Sequence, residues 1–216
     1  MTAISSQLTL PPLAEQIERL ISLGVAKNAD LRPEDLRALV TDSSHPGLLI
    51  LPDVDPRVLA PRVSLDGLPG FVVEDLGDLP AFSPFNLEVP EAHAYLVTDL
   101  ERGDEYSNET PNETYPKLKE RDRTPITVLE GLFWALQVPE ILERNRCFMT
   151  TGSRLRKADG KLDARTPALW ISNGTGRDGK ERRGAPKVGW CWAGNRHTWL
   201  GIASAADRKS LESPNS

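Results

Sequence analysis

Apolar residues at Leu13, Ile17, Leu20 and Ile21 fall on one face of a helix, which opens after Pro11-Pro12 and stops near Gly24. A second short helix is expected from Pro33, with Leu36, Leu39 and Val40 inward. Leu48 to Leu51, Phe71 to Val73 and Ala94 to Val97 are short apolar runs bounded by turn residues, and each is expected to be a strand. The segment from Gly77 to Pro90 reads as loop. From Leu100 to Arg123 the chain is polar, which suggests a long connection with one or two helical turns near Tyr115 to Arg121. Thr127-Val128-Leu129-Glu130 matches a capping box, so a helix should start there and end at Val138, before Pro139 opens another short one to about Asn145.

Beyond Cys147 the pattern changes to strands: Cys147 to Leu155, Pro167 to Ser172, Val188 to Ala193 and Thr198 to Ala203. With no helix between them, the sheet they form should be antiparallel. Thr175 to Ala185 has no apolar periodicity and reads as a mobile basic hairpin loop. The expectation is a single α+β domain over residues 1–208, with N-terminal helices and short strands and a C-terminal antiparallel β-sheet. This is not one of the common superfolds, and a disordered tail, 209–216, should follow.

The chain of 216 residues is 39% hydrophobic and 26% charged, ordinary for a soluble globular protein. Its apolar runs are too short to span a bilayer, and Met1 to Leu10 has no signal-peptide pattern, so no membrane role and a cytoplasmic location are expected. The net charge of −5 conceals an asymmetry. Residues 1–145 hold 12 Lys and Arg against 25 Asp and Glu, a balance of −13, whereas residues 146–216 hold 14 against 6, a balance of +8. That polarity points to an acidic partner near the C-terminal third, or to a solvated surface.

Gly189 to Gly201, GWCWAGNRHTWLG, holds three of the five tryptophans, one of the two cysteines and one of the three histidines. Alternation along a strand puts Trp190 and Trp192 on one face and Cys191 on the other. Trp190, Trp192 and Trp199 beside Asn195 could line a pocket or form core. His197, near neutrality in its ordinary titration, is a candidate acid/base or a structural histidine. His45 and His93 carry less signal. Arg146, Arg154, Lys187 and Arg196 could converge on an anion. Asp99, Glu101, Asp104 and Glu105 could hold an ammonium or take its proton, or be solvated loop charge; Asp104 and Glu105 are the candidate bases. Cys147 and Cys191 have no metal-ligand spacing, and the phosphate-loop, dinucleotide, hydrolase-elbow and zinc-protease motifs are missing. No metal or other cofactor is expected.

The runs Arg123-Thr124-Pro125-Ile126-Thr127-x-x-Glu130-Gly131, Pro139-Glu140-x-Leu142-Glu143-x-Asn145-x-Cys147-Phe148 and Pro167 to Ser172, with the GWCWAGNRHTWLG block, resemble an actinobacterial family of unknown function. The resemblance covers about Leu13 to Arg208 and implies a cytosolic α+β protein. The chain departs from the family's usual pattern between Ser153 and Pro167 and between Gly174 and Ala185, which suggests a specialised member. As such it resembles the larger component of the aziridine-forming enzyme of azinomycin- and vazabitide-type antibiotic biosynthesis. That resemblance implies amine attack with sulfate elimination, a small partner protein in a hetero-oligomer, and a small-molecule substrate held on an acidic amino-group carrier protein. Lys180, Arg182 and Arg183 would then be docking residues. The alternative from another class is a non-catalytic module that binds a protein or small ligand through the tryptophan face. A nucleic-acid role ranks third, because the basic loop has no interleaved aromatics and the pI is about 5.3.

Overall fold

The computed structural model describes residues 9–39 and 46–211. Val40, His45, Met1 to Leu8 and residues 212–216 lie outside them. In chain order the main elements are helices α1 (Leu13–Ser22), α2 (Val25–Asn28) and α3 (Pro33–Ala38), strand β1 (Leu48–Ile50), helix α4 (Pro56–Leu59) and strands β2 (Phe71–Val72) and β3 (Ala94–Thr98). Helices α5 (Pro111–Glu120) and α6 (Val128–Gln137) follow, then strands β4 (Cys147–Met149), β5 (Arg165–Ile171), β6 (Pro186–Trp192), β7 (Leu200–Ile202) and β8 (Asp207–Leu211). The fold is mixed α+β. Among the described residues no helix is long and apolar enough to cross a membrane.

One sheet has the order β1-β3-β8 and is antiparallel throughout. Strand β8 takes in Lys209, Ser210 and Leu211, which the sequence suggested were tail, because the free edge of β3 supplies five successive partners from Ala94 to Thr98. The second sheet has the order β7-β4-β5-β6-β2. Its centre is antiparallel, but both edges pair parallel, β7 with β4 and β2 with β6. The expected all-antiparallel sheet is therefore corrected to a mixed one. Residues 193–199 carry the chain past β5 and β4 without a helix, a crossover that a rule requiring crossover helices overlooks.

Leu48, Leu49, Ile50, Tyr95, Leu96 and Phe133 are buried in the main core. Each such side chain contributes about 1.5–3 kcal/mol relative to leaving it in water. Helix α1 buries Ile17 and Leu20 together with Gln16, whose amide is fully engaged: Nε2 donates to the carbonyls of Pro11 (2.8 Å) and Gly47 (2.9 Å), and Oε1 accepts from Leu49 N–H (2.9 Å). Arg19 donates to the carbonyls of Leu136 (3.1 Å) and Gln137 (2.9 Å), satisfying acceptors that the end of α6 leaves without helical partners.

The capping box at α6 is present: Thr127 Oγ1 accepts from Glu130 N–H at 3.1 Å, and Glu130 Oε2 from Thr127 N–H at 2.7 Å. Helix α5 is longer than its sequence suggested. It too starts on a capping box, with Glu113 Oε2 accepting from Thr110 N–H at 2.9 Å and Pro111 in the first turn.

Candidate functional site

The Gly189 to Gly201 block occupies the end of β6, the crossover and the start of β7. Alternation along β6 holds. Trp190 packs on the main core, and Cys191 faces the opposite side, in a smaller cluster with Cys147, Met149, Ala168, Leu200 and Trp170. The rings form two separate pairs. Trp190 and Trp192 meet edge to face with centroids 4.5 Å apart, and His197 stacks on Trp199 at 4.6 Å with 21° between planes. Among the described residues no ring contact joins one pair to the other. Trp190 is anchored by its N–H, which donates to Asp75 Oδ1 at 3.2 Å. Trp192 and Trp199 stand out by exposure, at 47% and 51%.

The crossover is tied down by polar groups. Asn195 N–H donates to Trp192 O (3.0 Å), closing a turn, and Asn108 N–H donates to His197 O (2.8 Å). Arg196 donates to Asn108 O (3.0 Å) and forms an ion pair with Glu113 in the first turn of α5. The Glu113 carboxyl is held down at about 2, first by Thr110 N–H, then by Arg196 and the Thr110 hydroxyl. Its folded value lies below the ordinary one, so the tether is present above the ordinary glutamate range and is lost as pH falls toward 2. A carboxyl 13C titration by NMR should give Glu113 a midpoint near 2. A midpoint near the ordinary value of about 4.3 would mean that neither the Thr110 cap nor the Arg196 tether holds Glu113 in solution.

The other candidates are spread over separate partners. Lys187 reaches both carboxylate oxygens of Asp178 at 2.7 Å and lies 4.8 Å from the Trp170 ring centroid. The buried Arg154 donates to Asp163 O (2.8 Å) and stacks over Phe85. Arg146 lies 3.5 Å from Asp104, which also meets Arg102 at 3.5 Å. Glu105 pairs with Arg121 at 2.9 Å, Glu101 with Arg121 at 3.0 Å and Asp99 with Arg123 at 2.6 Å. The structure thus joins Trp190 to Trp192, His197 to Trp199 and Arg146 to Asp104. It does not gather Arg146, Arg154, Lys187 and Arg196 into one cationic site. Among the described residues no group of three or more His, Cys, Asp and Glu side chains could hold a metal ion.

The Thr175 to Ala185 loop joins β5 to β6 as a hairpin and folds back on itself. Ser172 Oγ donates to the buried Asp178 at 2.8 Å, and Gly184 N–H donates to Ser172 O at 2.8 Å. This brings Arg183 to a cavity shared with Arg144, two residues that sequence spacing did not mark as a pair.

A family model described as a family of unknown function matches residues 19–211. No curated protein matches the chain, and no solved structure does.

Proposed function

We propose, for a chain that belongs to this family, DUF5701, that it works as a binding module, holding an aromatic or apolar group of a partner on Trp192 and Trp199. The exposure of these two side chains carries the reading: among the described residues, Leu23 is the other large hydrophobic left in water. Tryptophan offers a large apolar face at low conformational cost, and His197 stacked under Trp199 holds that face in place. An aziridine-forming subunit of antibiotic biosynthesis would need a carboxylate free to take a proton beside a group that receives sulfate. Asp104 and Glu105 are each engaged by arginine, so the geometry favours binding.

The test uses the purified chain with the products of neighbouring genes. Binding monitored by tryptophan fluorescence should weaken at least about tenfold in Trp192→Ala or Trp199→Ala. Each variant should stay within about 0.5 kcal/mol of the parent in stability, as exposed positions do. Unchanged binding in both variants overturns the reading. So does loss of sulfate from a carrier-bound amine in the same mixture, which would restore the enzyme reading.

A further inference from the structure

Several arginines near the mixed sheet are neutralised by carboxylates, and Arg144 and Arg183 are among those that are not. Arg144 and Arg183 line one cavity of about 190 Å³ with Asn145, Ile171, Ser172 and Asn173. Its lining includes no carboxylate, and among the described residues neither guanidinium makes an ion pair or a hydrogen bond. Behind the wall Asp178 is hydrogen-bonded to Ser172, and Lys187 neutralises it from 2.7 Å.

The backbone fixes where both side chains start. Arg144 and Asn145 form the turn that closes from Arg146 N–H to Glu143 O (3.3 Å), with Asn145 at φ 61°, a region asparagine tolerates. Arg183 lies against Gly174, which sits at φ 66° with its N–H on Ser172 Oγ; a Cβ at Gly174 would stand 2.5 Å from Arg183 Cβ. A side chain at Gly174 would therefore push Arg183 away. Two unpaired forks beside two carboxamides offer several N–H donors and positive charge in one concave space.

We propose that this cavity binds a tetrahedral oxyanion, the phosphate or sulfate group of a small ligand. Its two arginines provide paired, charge-assisted hydrogen bonds of the kind planar guanidinium groups make to such oxygens. The site is separate from Trp192 and Trp199 and does not depend on their role.

The experiment titrates the full chain with sodium phosphate, sodium sulfate and sodium chloride at matched ionic strength, following thermal unfolding and isothermal titration heat. Phosphate or sulfate should raise the melting temperature saturably, and chloride should not. Arg144→Gln and Arg183→Gln should each weaken the apparent Kd at least tenfold. Lys180→Gln, which removes one charge from the same loop, should keep the parent value. Glycerol 3-phosphate distinguishes the source: tighter binding than inorganic phosphate assigns the pocket to a phosphate ester, equal binding to the free anion, and either supports the site. An equal effect from chloride, or parent-like phosphate binding in both Gln variants, overturns it. Circular dichroism checks that each variant folds. Should a Gln variant fail that check, Arg144→Lys and Arg183→Lys take its place, each expected to lower affinity while keeping the charge.

Discussion

Arg208→Ala is expected to destabilise the protein by about 3–5 kcal/mol, because it leaves a carboxylate charged and buried without its partner. Arg208 Nε lies 2.7 Å from Glu130 Oε1, with the two side chains 5% and 0% exposed. A second bond, Nη2 to Oε2 at 2.8 Å, makes the pair bidentate. Glu130 is also held by the Tyr95 hydroxyl (3.0 Å) and by Thr127 N–H (2.7 Å), so one residue joins the cap of α6, strand β3 and strand β8. Burial first, and then the Glu130 charge, raises the Tyr95 hydroxyl far above its usual range, which keeps it a donor. Urea unfolding followed by circular dichroism measures the loss. Adding Glu130→Gln to Arg208→Ala should recover part of it, since a neutral amide costs less to leave unpaired than a carboxylate. As a control, Arg177→Ala removes an exposed pair with Asp75 and should cost under about 1 kcal/mol. A loss below about 1 kcal/mol in Arg208→Ala would show that the buried pair is not formed.

The two halves of this interaction differ in how visible they are in sequence. Thr127-x-x-Glu130 lies within one helical turn, so its spacing announces the cap, and the structure has it. Glu130 and Arg208 are 78 positions apart, and nothing local marks them as partners. Strand β8, Asp-Arg-Lys-Ser-Leu, carries no apolar alternation because it is the polar edge of its sheet, and so its last three residues, Lys209 to Leu211, read as tail. The turns expected near Tyr115 to Arg121 fall short of helix α5 because its acidic start and the internal Pro116 mask the Thr110-x-x-Glu113 box.

The charge asymmetry illustrates the same limit at the site. Its two ends meet in the fold: Arg146 with Asp104, Arg165 with Asp78, Arg177 with Asp75, Arg196 with Glu113 and Arg208 with Glu130. Much of the polarity is therefore internal pairing between the two parts of the chain. Sequence registers the charges but not their partners, so neither the spread of Arg146 and Arg196 over separate carboxylates nor the pairing of Arg183 with Arg144 at one cavity is legible in it. The alternation of Trp190 and Trp192 was legible because a strand has a fixed period. The separation of His197 and Trp199 from them was not, because it depends on a crossover of irregular backbone.

Gly103→Ala should be the most damaging single methyl group in the segment that flanks β7. Gly103 adopts φ 70°, and a Cβ there would lie 1.8 Å from the carbonyl oxygen of Ile202 and 2.5 Å from its carbonyl carbon. Backbone cannot swing aside as a side-chain end can. Gly103 O also accepts from Ile202 N–H (3.1 Å) and Tyr106 N–H (3.0 Å), while Glu101 and Ser204 exchange backbone bonds of 2.9 and 3.0 Å. Moving residue 103 therefore loosens the outer side of β7 and the cluster of Tyr106, Leu118 and Ile202. The left-handed conformation costs a residue with a Cβ about 1–2 kcal/mol, and overpacking adds about 1–3 kcal/mol, so a loss of about 3 kcal/mol is expected. Gly160→Ala separates the two contributions, since Gly160 has φ 81° and nothing within 4 Å of a built Cβ; it should show the conformational cost alone. Urea unfolding gives both values, and hydrogen exchange should show the Ile202 amide losing protection in Gly103→Ala alone. Equal losses in the two variants would mean that residue 103 and β7 do not make the close approach that sets the edge of the mixed sheet.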